Sequence, residues 1–319
     1  MTTASTSGNG GLLQGWLEKL REGGKLTSDA TTITDKMKND FDEAWNKLKS
    51  RLNAGESKEI QSLCADAKNL VKEGGPGKNV YLQELCKAAV VVRYFMSGLT
   101  SQYYSVSPET GIKPHEWYPR CIVGALALAE LYGDHCKLDE VVQQISLKVE
   151  EKLGEHLGKK NLEHQLNKCS TVGIEDVLIG KAVLSNTIKE WTHAGREAAR
   201  MSNWNGGPWR VRLPGRYWSH VCKQPPGQPH ISDSERKKEY LEENKGSIVS
   251  FSGMGTTENK GAIMDELVSD KESLTLKDFK TLLQESISHG NTPNADSIVK
   301  NLKEKVQGNL GKFRSKKQK

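Results

Sequence analysis

The residues of this chain that could do chemistry are its six cysteines, its eight histidines and one cluster of tryptophan and arginine. The cysteines are Cys64, Cys86, Cys121, Cys136, Cys169 and Cys222. Their number is even and no two form a C-x-x-C pair, so neither a zinc ribbon nor a thioredoxin-type redox motif is spelled out. Two readings remain at this point: six reduced, buried thiols, or three disulfides formed in an oxidising setting. The histidines carry no H-E-x-x-H motif, and His156 and His164 lie eight residues apart in polar sequence. Asp134-His135-Cys136 puts an imidazole beside a thiol along the chain, but a catalytic thiol needs its histidine brought up by the fold, and this tripeptide reads as the turn after a helix. Gly74-Gly75-Pro76-Gly77-Lys78-Asn79 fails as a phosphate-binding loop. Lys72 stands where the first glycine belongs, and Asn79 stands where a Ser or Thr must reach magnesium. Gly180-Lys181-Ala182 fails the same test, and no calcium-loop pattern occurs. No catalytic, cofactor-binding or metal-ligating residue is assigned.

Binding chemistry has more to draw on. Trp204, Trp209 and Trp218 interleave with Arg210, Arg212 and Arg216. Tryptophan and arginine dominate interface hot spots, and a guanidinium stacks on an indole, so these six are the candidate partner contact. The competing reading is a small core that packs the loop onto the helices. The net charge of +6 is uneven. Residues 300–319 hold eight Lys/Arg against Glu304, which is 8 − 1 = +7, so the other residues sum to −1. A basic tail, with Lys312, Arg314, Lys316, Lys317 and Lys319 at its end, suits weak contact with an anionic membrane. Only Phe313 stands among these cations to stack on a base, which argues against nucleic acid. No apolar run approaches the ~20 residues of a transmembrane helix. Met1–Gly11 lacks the basic and apolar regions of a signal peptide. No Asn-x-Ser/Thr acceptor occurs.

Helices must position these groups. Leu12, Leu13, Trp16, Leu17 and Leu20 form one stripe, closed by Gly23-Gly24. Ile33, Met37, Phe41, Trp45, Leu48 and Leu52 form a second and longer one, with Thr34 or Asp35 as its start and Asn53 and Gly55 as its stop. Ile60–Val71 predicts a third helix, ended by the glycine-proline run at 74–77. Further helices are expected at Val80–Leu99, Trp117–Leu131, Leu138–Leu157 and Ile174–Trp191, the last apolar nearly all round and therefore central. Nothing alternates with period two, so strands should be scarce. Pro225, Pro226 and Pro229 mark an extended connector, and polar helices with thin apolar faces follow at about 232–245, 275–289 and 294–307. The class is all-α: a multi-helix bundle with an irregular Trp/Arg-rich loop and a looser helical C-terminal region.

Helix geometry filters the cysteine pairings. Cys121 and Cys136 bracket one predicted helix, which sets them about 20 Å apart against a limit of about 7 Å. Cys64 and Cys86 lie at matching distances from the Pro76 turn and come level in an antiparallel hairpin. Two arrangements stay open for the rest. One is Cys121–Cys169 with Cys136–Cys222. The other, Cys121–Cys222 with Cys136–Cys169, is preferred because it leaves the shorter reach for Cys136.

Several blocks resemble a known family. They are Gly10–Leu17, Ile60–Leu99 (IQSLCADAKNLVKEGGPGKNVYLQELCKAAVVVRYFMSGL), Tyr118–Val142 (YPRCIVGALALAELYGDHCKLDEVV), Leu166–Arg196 and Tyr240–Phe251. Together, from about residue 10 to 255, they resemble the N-terminal extracellular alpha domain of the schizont-infected cell agglutination (SICA) variant antigens of malaria parasites. The resemblance implies a non-catalytic antigen module displayed outside the infected erythrocyte, acting in antigenic variation and host-cell adhesion. Its implied partners are antibodies, immune receptors or the host cell surface. It implies no cofactor and no catalytic residues, and it tilts the cysteines towards three disulfides. Full members are longer and add cysteine-rich repeats and a membrane anchor, so the chain is expected to be a truncated member or a fragment. The expected organisation is a disordered tail at 1–10, an alpha-like helical domain at 11–225, a connector with polar helices at 226–307 and a basic tail at 308–319. The competing function is an intracellular scaffolding or trafficking protein that touches membrane through the tail.

Overall fold

The computed structural model describes residues 11–22, 29–54, 57–70, 76–102, 105–158, 168–184, 187, 222, 231–256, 258–269, 273–288 and 295–315. Eleven α-helices and one short hairpin are present among them. In chain order these are α1 (Gly11–Glu22), α2 (Ala30–Asn53), α3 (Lys58–Leu63) and α4 (Pro76–Met96), then β1 (Leu99–Gln102) and β2 (Ser105–Pro108). They continue with α5 (Trp117–Ala127), α6 (Leu138–Leu157), α7 (174–184), α8 (Asp233–Ser252), α9 (Lys260–Val268), α10 (Leu276–Ser288) and α11 (Ala295–Ser315). The chain is therefore all-α and disulfide-linked.

The apolar stripes read from the sequence are the buried faces. In α2 the buried side chains are Ile33, Met37, Phe41, Ala44, Trp45, Leu48 and Leu52, on one side of a 24-residue helix. Its start differs from the expectation. Asp29, not Thr34 or Asp35, caps it, accepting from the Thr31 and Thr32 N–H groups at 2.8 and 3.0 Å. Thr34 instead lies one turn inside, buried, with its hydroxyl donating to the Ala30 carbonyl at 2.6 Å. The stretch expected as one helix from Ile60 splits into α3 and a 3-10 turn at Ala65–Leu70. The Trp117–Leu131 stretch closes with a π-turn at Leu128–Tyr132. Pro76 opens α4, a position that suits its missing N–H. Helix α9 falls in sequence where none was expected.

Helices α4, α5 and α7 form the interior. Every residue of α5 and every residue of 174–184 is buried. Their close approach depends on Gly180, where a Cβ would sit 2.4 Å from Ile122 Cγ2. Gly180→Ala is expected to cost about 1–3 kcal/mol in urea unfolding, because a packed helix pair must part to admit a methyl group. Gly246→Ala in α8, where a Cβ meets nothing within 4 Å, is expected to stabilise by about 0.4–1 kcal/mol instead. Around the interior, α6 packs on α4, α8 packs on α6 and α5, and α10 and α11 close the other side against α2 and α1. Buried side chains of α8–α11, among them Ile248, Phe251, Phe279, Leu283, Ile298 and Leu302, join the same core as α1–α7.

All six cysteines are paired. Cys64–Cys86 joins the C-cap of α3 to α4, the pairing the hairpin geometry favours. The other two bridges are Cys121–Cys169 and Cys136–Cys222, so the preferred alternative is corrected. The reason is that nearness along the chain is not reach. Helix α6 starts two residues after Cys136 and carries the chain about 30 Å away over its 20 residues. Cys169 lies beside α5, while Cys136 stays at the foot of α6 beside Cys222.

Candidate functional site

Charged side chains inside a helical core need partners, and here the partners are mostly the carbonyls at helix ends. Arg120 in α5 donates to the Phe95 carbonyl at 2.6 Å, at the end of α4. Arg51 in α2 donates to the Leu99 carbonyl at 2.6 Å. Arg93, fully buried in α4, donates to the Ser252 carbonyl at 3.1 Å, the last residue of α8. Lys181 in α7 donates to the Glu266 and Ser269 carbonyls at 2.5 and 2.9 Å, at the end of α9. Arg120, Arg93 and Lys181 each meet the partly negative carbonyl end of a helix, while Arg51 meets the first carbonyl of β1, and each so recovers part of its desolvation cost. Burial lowers Arg93 to about 10, against a smaller upward pull from Glu150, which still leaves it charged at neutral pH. Just past that helix end, Gly253 has φ +69°, and a Cβ there would meet Arg93 Nη1 at 2.8 Å. Glycine thus serves both the left-handed turn and the guanidinium.

Two of these arginines form the floor of a cleft. The Glu109 Oε2 atom accepts from Arg51 at 2.5 Å and from Arg120 at 2.7 Å, and both guanidinium groups lie over the Phe95 ring. Burial alone would raise the Glu109 carboxyl, but Arg120 and Arg51 outweigh it and hold it below its ordinary value. Above them Lys47 pairs with Glu43 at 3.1 Å and Glu116 at 3.4 Å. Asp40 accepts from the Trp16 indole N–H at 2.9 Å and from Lys36 at 2.5 Å. His115 borders the same cleft and is lowered by burial and then by Lys19.

The cleft is a surface rather than a substrate pocket. Its enclosed part is about 40 Å³, room for a water or two, and the adjoining groove along α2 and β1 is open to solvent. The carboxylates pair with cations of the same cleft, so it carries little net charge for a partner to sense. No hydroxyl or thiol hydrogen-bonds His115 among the described residues. A second cluster joins α3, α4 and α6: Glu59 accepts from the Tyr94 hydroxyl at 2.6 Å and meets His156 Nε2 at 2.8 Å. There burial and then the Glu59 hydrogen bond push the Tyr94 phenol far up, which favours its protonated form.

Sequence reasoning missed Arg51, Glu109 and Arg120. The signal for Arg120 was available: a charge inside the apolar run Trp117–Leu131 must have a partner. Asp134-His135-Cys136 is a turn, as expected, and His135 is buried, with burial lowering it to about 3. Cys136 is spent in a disulfide. The candidate contact residues Trp204, Trp209, Arg210, Arg212, Arg216 and Trp218 lie outside the described residues, as do Lys316, Lys317 and Lys319. Lys312 and Arg314 fall within α11. Among the described residues no helix is long and apolar enough to cross a membrane.

Comparison with curated proteins and with solved structures yields no match. Comparison with protein families does. The family model described as the SICA extracellular alpha domain matches residues 10–191, more than half of the chain. That span holds the whole of α1–α7, the Cys64–Cys86 and Cys121–Cys169 bridges, and all four cations that grip backbone carbonyls. The Tyr240–Phe251 block lies beyond it, in α8. The chain belongs to the SICA extracellular alpha domain family.

Proposed function

We propose that this domain is a non-catalytic antigen module displayed on malaria-infected erythrocytes, built so that its exterior can change while its interior stays fixed. The observation that supports this most is the pairing of all six cysteines, which suits an oxidising, extracellular setting. The energetics suit it too. Substitutions on solvated helix faces cost within about 0.5 kcal/mol, whereas core changes cost several times more. Helix α2 illustrates the division: Thr31, Thr32, Asp35, Lys38, Asn39, Glu43, Asn46, Lys49 and Ser50 are exposed, while the opposite face is fully buried. Variants can therefore differ along the exposed face of α2 without unfolding. Antibodies and host surface receptors are the partners this reading expects, with the Trp204–Trp218 segment as the contact for adhesion.

The test is labelling of intact infected erythrocytes with a membrane-impermeant amine reagent. Display predicts labelled peptides from the exposed face of α2. An intracellular scaffold that touches membrane through its basic tail predicts label only after the cells are lysed.

A further inference from the structure

The Cys136–Cys222 bridge differs from the other two. Cys136 is only partly buried, whereas the other five cysteines are 0–2% exposed. Its two halves also fall on either side of the family boundary, Cys136 inside residues 10–191 and Cys222 beyond them. The buried sulfur is polarised as well. The Cys136 backbone N–H donates to Cys222 Sγ at 3.3 Å, and the Arg236 guanidinium donates to the Cys222 carbonyl at 2.7 Å.

We propose that Cys136 Sγ is a site of thiol exchange, open to small thiols and to exposed thiolates of other proteins. The attacking thiolate forms a new S–S bond to Cys136 as the Cys136–Cys222 bond breaks, and the electron pair of that bond leaves on Cys222. Charge is conserved, because one thiolate enters and one departs. A second thiolate attacking the mixed disulfide releases the external disulfide and leaves Cys136 reduced. Access selects the sulfur attacked, and Cys136 is the less buried residue of the pair. The leaving group decides the rate, since a thiolate of lower pKa departs faster. An amide hydrogen bond and a neighbouring guanidinium both favour negative charge on Cys222.

Opening the bridge leaves the fold standing. Asn244 in α8 donates to the Gly133 carbonyl at 2.8 Å and the His135 carbonyl at 2.7 Å, and accepts from the Asp139 N–H at 3.1 Å. These bonds hold α8 to the turn before α6 whether or not the sulfurs are joined. Exchange at Cys136 therefore yields a folded molecule with one free thiol at Cys222 and one adduct at Cys136. This inference is independent of where the protein is displayed.

The experiment treats the full chain, in native buffer, with reduced glutathione. Samples are quenched by alkylation over time and mapped by peptide mass spectrometry, with circular dichroism followed alongside. The expected result is a glutathione adduct on Cys136 and alkylated Cys222, forming at least about tenfold faster than exchange at either other bridge, with the helical signal unchanged. An adduct on Cys222, equal rates at all three bridges, or exchange that begins only as the helical signal falls would each overturn the proposal.

Discussion

Replacing Cys121 and Cys169 together by alanine lowers the unfolding free energy by about 4 kcal/mol, read from urea titration without reductant. The bridge spans 48 residues and joins the buried helix α5 to the turn that leads into α7. Without it the unfolded chain regains the freedom of that loop, worth about 4 kcal/mol in the loop-entropy account. Both sulfurs are also buried, so their loss leaves a small void that the surrounding side chains fill only in part. Removing Cys64–Cys86, which closes 22 residues, is expected to cost less, about 3.4 kcal/mol on the same account. A change below about 1 kcal/mol in the first pair would mean that helix packing alone fixes α5 against α7.

Glu109→Ala is the second large effect, a loss of about 3 kcal/mol. The carboxylate is shared by Arg120, whose side chain is 3% exposed, and Arg51, whose side chain is 12% exposed. Removing it leaves two largely buried cations with only their carbonyl partners, and breaking such a pair from one end costs more than the pair itself contributes. The same group sets an acid limb. Its folded value is held below the ordinary 4.5, despite the opposing effect of burial, because Arg120 and Arg51 favour the charged form. Its contribution is therefore complete above the ordinary carboxylate range and disappears as pH falls through the lowered folded value. The variant lacks this part of the pH dependence, so the gap between wild type and Glu109→Ala narrows as pH falls below the ordinary carboxylate range and through the lowered folded value. Parallel curves to pH 2 would show that the cluster carries no such linkage.

The two variants mark what the sequence could and could not reveal. The apolar stripes of α1, α2 and α6 were legible because period alone identifies a buried helix face. Cys64–Cys86 was legible because two helices meeting at one turn fix the level of each residue. The remaining connectivity was not, since it depends on where a 20-residue helix points and on how the chain returns from it. The cap of α2 was misplaced because Thr34 sits on the buried stripe, and its hydroxyl is satisfied by a carbonyl one turn back rather than by an open N–H. The grip of Arg51, Arg93, Arg120 and Lys181 on main-chain carbonyls involves backbone acceptors, which have no side-chain signature. What the sequence did offer was the oddity of a charge in an apolar helix, at Arg120 and Lys181. The cleft over Glu109 was invisible for the same reason: Arg51 and Glu109 look like ordinary surface residues until α5 delivers Arg120 beneath them.

The measurement that bears most directly on a locked core beneath a changeable exterior is a non-reducing peptide map of the native protein. It should be isolated without reductant and alkylated before digestion. The account predicts three cross-linked peptides, Cys64–Cys86, Cys121–Cys169 and Cys136–Cys222, with the first two present in full. Alkylated thiols at Cys64, Cys86, Cys121 or Cys169, or a bridge that joins any of these four in another combination, would contradict it.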